Sequence, residues 1–381
     1  MGKRILIITD YFHPHWTGIS KSIFNLAQAL SDQLPVKVLT VKHQPDLPAQ
    51  ETVSGVEIFR AKPAAVVSRT KLSVSLPILA VSHIKNSDVV VVNSPCTYIF
   101  PISILAKLMG KKLTIFHQGD LILNRGWCNR LLEWVFDGST WIGCWLADKV
   151  GTYTRDYAQH SRILRFFLSK FEPVVLPHPD FKPEPADLAG QLTKAGRTIA
   201  DLKQQEKFVF GFAGRFVREK GFDVLFQAIK LLPKQANLHF VFAGETDVSY
   251  EQTFERNLPS LDQIKSQVSF LGLLSGPELH DFYQEIDCFV LSSRSECFGL
   301  VQPEAMAQHT PVLASDVPGA RQVVLQTDYG LLFANEDEQD LADKLLLMPE
   351  LLPKLEAQYS QVENYFDYQR RTEQAKRFLL E

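Results

Sequence analysis

With 381 residues, the chain is long enough for two or three domains, and 45% hydrophobic with 22% charged residues is typical of a globular protein that buries sizeable cores. The 40 basic and 43 acidic residues give a net charge of −3 without a long charge run, which argues against general nucleic-acid binding. Five scattered cysteines without a Cys-x-x-Cys pair predict neither a zinc site nor a disulfide framework, so we expect reduced cysteines in a cytoplasmic protein.

Predicted strands and helices alternate along the first half of the chain. The apolar run at 4–9 is too short for the apolar region of a signal peptide and is predicted to be a buried strand. Apolar spacing predicts a helix over 19–31. Further strands are predicted at 36–41, 56–60, 88–93 and 112–117. This alternation predicts a doubly wound parallel sheet, and no apolar run approaches the roughly 20 residues that span a bilayer.

Four of the five tryptophans are spaced to lie on one face of a helix. They are Trp127, Trp134, Trp141 and Trp145. Two interpretations stay open: a core helix packed on the first sheet, or an aromatic surface that contacts a membrane interface. In the second case, Arg69 and Lys71 would add a basic contact.

A proline-rich stretch around 174–185 is the predicted linker between an N-terminal domain, 1–182, and a C-terminal domain, 183–365. In the second half, strands are predicted at 208–213, 238–243, 268–271, 288–292 and 311–314, with helices between them. The tail at 366–380 has a helical pattern.

A loop bracketed by two glycines follows the predicted strand 208–213 and carries Arg215, Arg218 and Lys220. Gly214 permits a close approach of the backbone, and arginine and lysine side chains suit phosphate oxygens. The loop lacks the Gly-Lys-Ser/Thr ending of a Walker loop and the Gly-x-Gly-x-x-Gly of a dinucleotide fingerprint. It therefore predicts a different kind of phosphate site, with a solvated basic loop as the alternative.

Two glutamates, Glu296 and Glu304, bracket a predicted strand-to-helix turn. Backbone N–H groups at Phe298, Gly299 and Leu300 would favour an anion at the helix start. Eight helical residues span about 12 Å, so the two carboxylates would meet opposite ends of a long anionic ligand such as a nucleoside diphosphate sugar. That separation exceeds the roughly 5 to 9.5 Å of a glycoside hydrolase pair. Two solvated glutamates are the alternative.

Together these segments resemble the retaining glycosyltransferases of family 4, along nearly the whole chain. The most specific parts are 214–220, 268–272 and 293–305. The resemblance implies the α/β fold called GT-B, with two doubly wound, Rossmann-like domains facing across a cleft. The N-terminal domain would lie on the acceptor side, the C-terminal domain would bind the donor, and a last helix, 366–381, would cross back to the first domain.

The resemblance also implies an activity. A sugar would move, with retention at the anomeric carbon and without a metal or other cofactor, from a UDP-sugar or GDP-sugar to a hydroxyl acceptor. The expected acceptor is a glycan or lipid-linked precursor in cell-envelope glycoconjugate synthesis, and the expected location is the cytoplasm, with peripheral contact at the inner face of the membrane. A sugar-nucleotide epimerase of similar fold and a non-catalytic sugar-nucleotide binding protein are the alternatives.

Site residues follow from the same resemblance. The implied catalytic residues are His117, Arg215, Lys220 and Glu296. The implied donor-binding residues are Gly18, Gly214, Arg215, Lys220, Glu296, Phe298, Gly299, Leu300 and Glu304. The nucleobase is expected near Gly244, Glu245, Leu271 and Leu274.

Each implied residue has an expected task. Arg215 and Lys220 would neutralise charge on the departing diphosphate, and Glu304 would accept hydrogen bonds from both ribose hydroxyls. Glu296 would orient the sugar ring, and His117 would lie near the reacting sugar. The N–H group of Gly18 would reach the donor phosphate.

Two features near the N terminus depart from a simple pattern. Thr17 stands where the family often has a first glycine, which questions a close backbone approach at that position. His13 and His15 are read as loop residues because no third metal ligand is evident.

Overall fold

The computed structural model describes residues 2–67, 70–123, 126–182, 191–233, 235–246 and 253–381. The chain divides into an N-terminal unit, Met1–Pro179 with Asp367–Glu381, and a C-terminal unit, Asp180–Phe366. The predicted domain boundary, 182/183, lies three residues after this division. Arg69 and the last three residues of the predicted linker, 183–185, lie outside the described residues.

An eight-stranded sheet forms the centre of the N-terminal unit. Its strands and those of a small hairpin are β1 (Ile5–Ile8), β2 (Val36–Val41), β3 (Gln50–Val53), β4 (Val56–Ala61), β5 (Ala65–Val67), β6 (Thr70–Leu72), β7 (Val89–Ser94), β8 (Lys112–His117), β9 (Lys149–Thr152) and β10 (Phe171–Pro173). The strand order is β10-β9-β8-β7-β1-β2-β4-β3, and only β3 is antiparallel to its neighbour. Every residue of β7 is buried, as expected for a parallel strand that is covered on both faces.

Helices cover this sheet in two groups. The helices are α1 (Gly18–Ser31), α2 (Ser75–Lys85), α3 (Ile99–Leu108), α4 (Trp127–Leu146) and α5 (Arg155–His160). Buried side chains from α2, α3 and α4 share one hydrophobic core with the sheet. The buried residues of α1 lie outside that core. The helices α2, α3 and α4 therefore form one layer, with α3 between the other two.

A six-stranded parallel sheet forms the centre of the C-terminal unit. Its strands are β11 (Phe208–Ala213), β12 (Leu238–Ala243), β13 (Val268–Gly272), β14 (Cys288–Leu291), β15 (Val312–Ser315) and β16 (Gly330–Phe333), in the order β13-β12-β11-β14-β15-β16. The helices are α6 (Lys194–Gln204), α7 (Phe222–Leu231), α8 (Thr253–Leu261), α9 (Pro277–Glu285), α10 (Val301–Ala307), α11 (Ala320–Thr327), α12 (Glu338–Glu356) and α13 (Tyr359–Phe366). In such a sheet, ligands bind beyond the carboxyl ends of the strands.

The helix predicted at the tail, 366–380, is confirmed and begins two residues later than predicted. After α13, Asp367 takes a non-helical conformation and its side chain accepts a hydrogen bond from the N–H of Arg370, which caps a new helix, α14 (Tyr368–Leu380). α14 belongs to the N-terminal unit, where it packs on α1.

The tryptophans of α4 are exposed, so the interpretation that they pack in a core is wrong. The buried side of α4 carries Thr140, Gly143 and Cys144. A Cβ atom at Gly143 would lie 2.7 Å from a side-chain carbon of Ile99, so α4 and α3 pack closely there. In the part of the chain that the structure describes, no helix has the length and apolar character to cross a membrane.

Candidate active site

Three adjacent strands of the C-terminal unit end in glycines whose backbones are joined by hydrogen bonds. Gly214 follows β11 and Gly244 follows β12, and the N–H of Gly244 donates to the carbonyl of Gly272, the last residue of β13, at 2.7 Å. A Cβ atom at Gly244 would lie 1.9 Å from the carbonyl oxygen of Gly214, so no side chain fits there. Leu271 and Leu274 flank the end of β13. The residues predicted to surround a nucleobase thus lie at one edge of one sheet.

The basic loop after β11 is fixed by backbone contacts. The N–H of Phe216 donates to the carbonyl of Glu245 at 3.2 Å, and a short 3-10 helix, Arg218–Lys220, follows. Gly221 has φ +64°, and a Cβ atom there would lie 1.8 Å from the carbonyl oxygen of Ser292 at the end of β14. Both the positive φ and the close approach require glycine.

Lys220 and Glu296 form an ion pair between the ends of β11 and β14. The hydroxyl of Ser293 also donates to the Glu296 carboxylate, at 3.1 Å. Burial alone would lower the pKa of Lys220, but the charges of Glu296 and Glu219 and the hydrogen bond to Glu296 together outweigh it, and the pKa is raised. Arg215 is exposed, and its charge opposes this rise, which places two cations and two carboxylates in one electrostatic group.

Glu304 lies in the first turn of α10, and its side chain is buried. The hydroxyl of Tyr283 donates to its carboxylate at 2.9 Å. Burial and the charge of Glu304 raise the pKa of Tyr283 well above its ordinary value, so the phenol stays protonated and remains a donor. Tyr283 was not predicted as a site residue from the sequence, because a single tyrosine within a helix is not part of a recognisable motif.

The turn between the two glutamates is not helical over its whole length, so the eight-residue helix assumed for the 12 Å estimate is not present. α10 begins at Val301, and Glu296 instead forms an isolated parallel bridge with Gly319. Phe298 is buried, and Gly299 has φ +75°. Leu300 precedes the helix, whose start is not capped by a side-chain hydrogen bond.

The loop after β1 shows why Thr17 can replace a glycine. Thr17 is the N-cap of α1, where its side chain accepts a hydrogen bond from the N–H of Ser20 at 3.1 Å. Gly18 is the first residue of α1 and is exposed. The threonine thus stabilises the start of the helix at which Gly18 was predicted to bind phosphate.

His117 ends β8, and both of its ring nitrogens have partners within the N-terminal unit. Nδ1 lies 3.0 Å from Oγ of Ser94, and Nε2 lies 3.1 Å from a carboxylate oxygen of Asp120. Burial would raise the pKa of Asp120, but the hydrogen bond and charge of His117 and further bonds from Ser161 and Arg162 lower it. A sugar hydroxyl would therefore replace one of these two partners of His117.

A buried polar network beside His117 was not predicted. Gln118 accepts a hydrogen bond from the hydroxyl of Tyr153 at 3.1 Å, and it donates to Asn93. Asn93 in turn donates to Thr9 at 3.2 Å. The sequence contained an indication of this network. Thr9, Asn93 and Gln118 stand at or just after the ends of three predicted strands, and a parallel sheet brings such strand ends together.

No group of three or more His, Cys, Asp or Glu side chains that could hold a metal ion is found among the described residues. His15 stacks on His43 with ring centroids 4.4 Å apart, and His13 lies 3.9 Å from Glu51. Burial lowers the pKa of His43 to about 4.

Comparison with known proteins gives a family for part of the chain. Residues 198–361 match the family model described as "Glycosyl transferases group 1". An uncharacterized glycosyltransferase of Methanocaldococcus jannaschii is 33% identical over 146 residues, which is 38% of this chain and 39% of the relative. The D-inositol 3-phosphate glycosyltransferase of Xylanimonas cellulosilytica is 37% identical over 137 residues, 35% of this chain and 32% of the relative. The matches thus span less than half of either relative.

A solved structure resembles the whole chain. HepE of Anabaena, in complex with UDP, superposes with a TM-score of 0.73 at 18% identity, and the match covers 99% of both chains. At this identity the similarity shows the fold alone. The α/β GT-B class that was predicted from the sequence is confirmed.

Proposed function

Because residues 198–361 match the family model of the group 1 glycosyl transferases, we propose that the chain transfers a sugar from a nucleoside diphosphate sugar to a hydroxyl acceptor with retention at the anomeric carbon. The observation that carries the proposal is the ion pair of Lys220 and Glu296 at the strand ends, with Arg215 beside it. Cations at this edge of a parallel sheet suit an anionic ligand.

The two cations would act on the leaving group. As the bond between the sugar and the diphosphate breaks, negative charge grows on the phosphate oxygens, and Arg215 and Lys220 stabilise it. They supply the positive charge that a metal ion supplies in other phosphate sites, so we propose a metal-independent reaction. Lys220 already carries its proton, because its pKa is raised next to Glu296.

The carboxylates would position the donor. Glu296 shares its charge between Lys220 and sugar hydroxyls, which orients the ring, while Glu304 accepts hydrogen bonds from the ribose. The base would lie against the backbone beyond the ends of β12 and β13, near Gly244 and Leu271. The backbone around Phe298 to Leu300 offers N–H groups to the phosphates.

In the N-terminal unit, His117 would bind a sugar or acceptor hydroxyl in exchange for Asp120 or Ser94. The acceptor hydroxyl would attack from the same face as the leaving group, which gives retention. We propose a glycan or a lipid-linked precursor of a cell-envelope glycoconjugate as the acceptor, on the cytoplasmic side of the membrane.

The donor is tested first. HepE was solved with UDP-glucose, so UDP-glucose is the first candidate, followed by GDP-sugars and ADP-sugars. A thermal-shift screen with UDP, GDP and ADP selects the base, since ligand at about 100 times its dissociation constant adds about 2.7 kcal/mol of stability. Release of the nucleoside diphosphate in the presence of a panel of acceptors then tests transfer. Binding without release would support the non-catalytic alternative, and conversion of the donor into another nucleotide sugar would support an epimerase.

Arg215→Ala should lower kcat/KM by about a thousandfold, about 4 kcal/mol, because one cation is lost where charge develops. Arg218→Ala is the matched control, since it removes the same charge from the same exposed loop. We expect the control to stay within about threefold of the wild type. An unchanged rate for Arg215→Ala would remove this residue from the site.

A further inference from the structure

The outward side of α4 is an apolar stripe that runs along the whole helix. Its members and their exposed fractions are Trp127 (79%), Leu131 (57%), Trp134 (74%), Val135 (58%), Trp141 (43%) and Trp145 (62%). A 20-residue helix is about 30 Å long, so the stripe extends across much of a small domain. Large aromatic side chains at this exposure, on a helix whose other side is buried, mark an interaction surface.

The two neighbouring helices of the same layer add to this surface. Exposed apolar side chains lie on or next to α2 and α3: Val74, Ile78, Val81, Phe100 and Leu108. We call this surface, with the stripe of α4, the aromatic face. Phe166, in the 3-10 helix after α5, is also exposed, and the guanidinium of Arg165 lies over its ring at 4.9 Å.

The sequence of the segment that carries α2 and α3 is biased toward positive charge, although one of its lysines, Lys107, pairs at 2.7 Å with Asp148, just after α4. Residues 62–119, which include α2 and α3, contain seven basic residues and one acidic residue. The basic residues are Lys62, Arg69, Lys71, Lys85, Lys107, Lys111 and Lys112. The acidic residue, Asp88, forms an ion pair with Arg4 at 3.0 Å.

The acidic residues of α4 itself are also compensated. Arg162 lies 3.9 Å from Glu133 and 3.2 Å from Asp137. At the C-terminal end of the stripe, the ammonium group of Lys170 donates to the carbonyl of Trp145 at 2.8 Å. A cation therefore lies at the C-terminal end of α4, where the helix dipole favours positive charge.

We propose that the aromatic face docks on the surface of an anionic phospholipid bilayer, with α4 lying parallel to the membrane plane. Tryptophan prefers the interface between headgroups and acyl chains, and a basic surround attracts anionic lipids. Because Gly143 packs tightly against Ile99, α4 stays on its unit and the whole layer meets the lipid. A second copy of the chain fits this face less well, since a symmetric contact would bring two basic surrounds together.

Flotation with vesicles tests the proposal on the full chain without any sugar donor, so that its failure leaves the proposed activity untouched. Vesicles of phosphatidylcholine alone are compared with vesicles that contain about one third phosphatidylglycerol. We expect binding to the anionic vesicles, and we expect it to weaken as salt rises from about 0.1 to about 1 M. A wild-type protein that stays with the soluble fraction overturns the proposal.

Paired substitutions locate the contact. Trp134→Glu with Trp145→Glu should reduce vesicle binding at least about tenfold, because two indoles leave the interface and two negative charges enter it. Leu325→Glu, at a 53% exposed position of α11 in the C-terminal unit, is the control and should bind as the wild type does. Trp134→Phe with Trp145→Phe keeps most of the apolar area and should retain most of the binding, and an unchanged circular dichroism spectrum of the Trp134→Glu and Trp145→Glu pair excludes misfolding as the cause of its loss.

Two results would contradict the proposal. One is vesicle binding that the Trp134→Glu and Trp145→Glu pair leaves unchanged, since the contact would then lie elsewhere. The other is a concentration-dependent dimer in sedimentation that the same pair dissociates, since the face would then be an interface between copies.

Discussion

Tyr283 determines where the Glu304 carboxylate can point. Its hydroxyl donates to one carboxylate oxygen at 2.9 Å, and both groups are buried. A carboxylate held in this way has a defined orientation. If Glu304 binds the ribose as proposed, Tyr283 acts on the donor through Glu304 and is a positioning residue.

Replacing Tyr283 with phenylalanine should raise the KM for the donor about tenfold with little change in kcat, because a hydrogen bond to a charged group is lost and Glu304 is no longer oriented. Steady-state kinetics with the donor as the varied substrate measure this. Tyr329→Phe is the matched control, since it removes a buried hydroxyl that donates to the carbonyl of His309 at 2.6 Å in the same unit. The control should cost stability but leave KM unchanged, and an unchanged KM in both variants would argue against the positioning role.

At the residue scale, the sequence indicated which charged side chains stand at strand ends and loops, but it did not indicate which residues those side chains contact. Lys220 and Glu296 were both selected for charge and loop position, but 76 residues separate them, so their ion pair needed the fold. Asp120 stands only three residues after His117, yet its contact with the ring depends on the turn after β8. The local sequence shows which residues carry charge. The contacts between residues at distant strand ends depend on the order of the strands in the sheet, which the local sequence does not show.

Among the elements, the strands predicted from a continuous apolar run were predicted closely, whereas three of the four edge strands of the two large sheets, β3, β10 and β16, were missed. β11 and β12 have the bounds that were predicted. β3 is an antiparallel edge strand without buried residues, so it lacks the apolar run that predicts a strand. β9 and β10 are short, with four and three residues. At α10 the apolar pattern begins before the first residue of the helix, Val301. The reason is that buried residues of the preceding turn resemble the first turn of a helix.

The loop between β11 and α7 depends on Gly221, and this gives a prediction on stability. Gly221→Ala should lower the free energy of unfolding by more than about 3 kcal/mol, because the Cβ atom would lie 1.8 Å from a backbone oxygen and the residue has φ +64°. Gly272→Ala is the control in the same unit, with φ +75° and open space around the added atom. It should cost about 1 to 2 kcal/mol, the strain of the left-handed conformation alone.

Urea unfolding followed by circular dichroism measures both variants, with the C-terminal unit treated as its own transition if the curve shows two steps. An equal decrease in the free energy of unfolding in the two variants would mean that the loop can move away from Ser292 without a loss of stability. In that event the contact between this loop and β14 would not hold Lys220 next to Glu296.

At the scale of the whole molecule, the chain forms two compact units, and the proposed donor groups fall mainly in one of them. Most of the proposed phosphate, ribose and base contacts lie on strand ends, on loops or in the first turn of α10 in the C-terminal unit, while His117 and Gly18 belong to the N-terminal unit. The nucleotide and the sugar should therefore leave different signatures along the chain.

Hydrogen exchange on the full chain can distinguish the contacts of the nucleotide from those of the sugar. UDP, or whichever nucleoside diphosphate the thermal screen selects, should slow exchange in peptides that cover 214–221 and 297–304, because bound phosphate oxygens accept from backbone N–H groups there. The donor with its sugar should add protection around 117–120, where a sugar hydroxyl would replace a partner of His117. The corresponding nucleoside without phosphates is the control and should protect 214–221 little. Protection by the nucleotide at 117–120 but not at 214–221 would show that the diphosphate does not bind the basic loop, and the assignment of Arg215 and Lys220 would have to be abandoned.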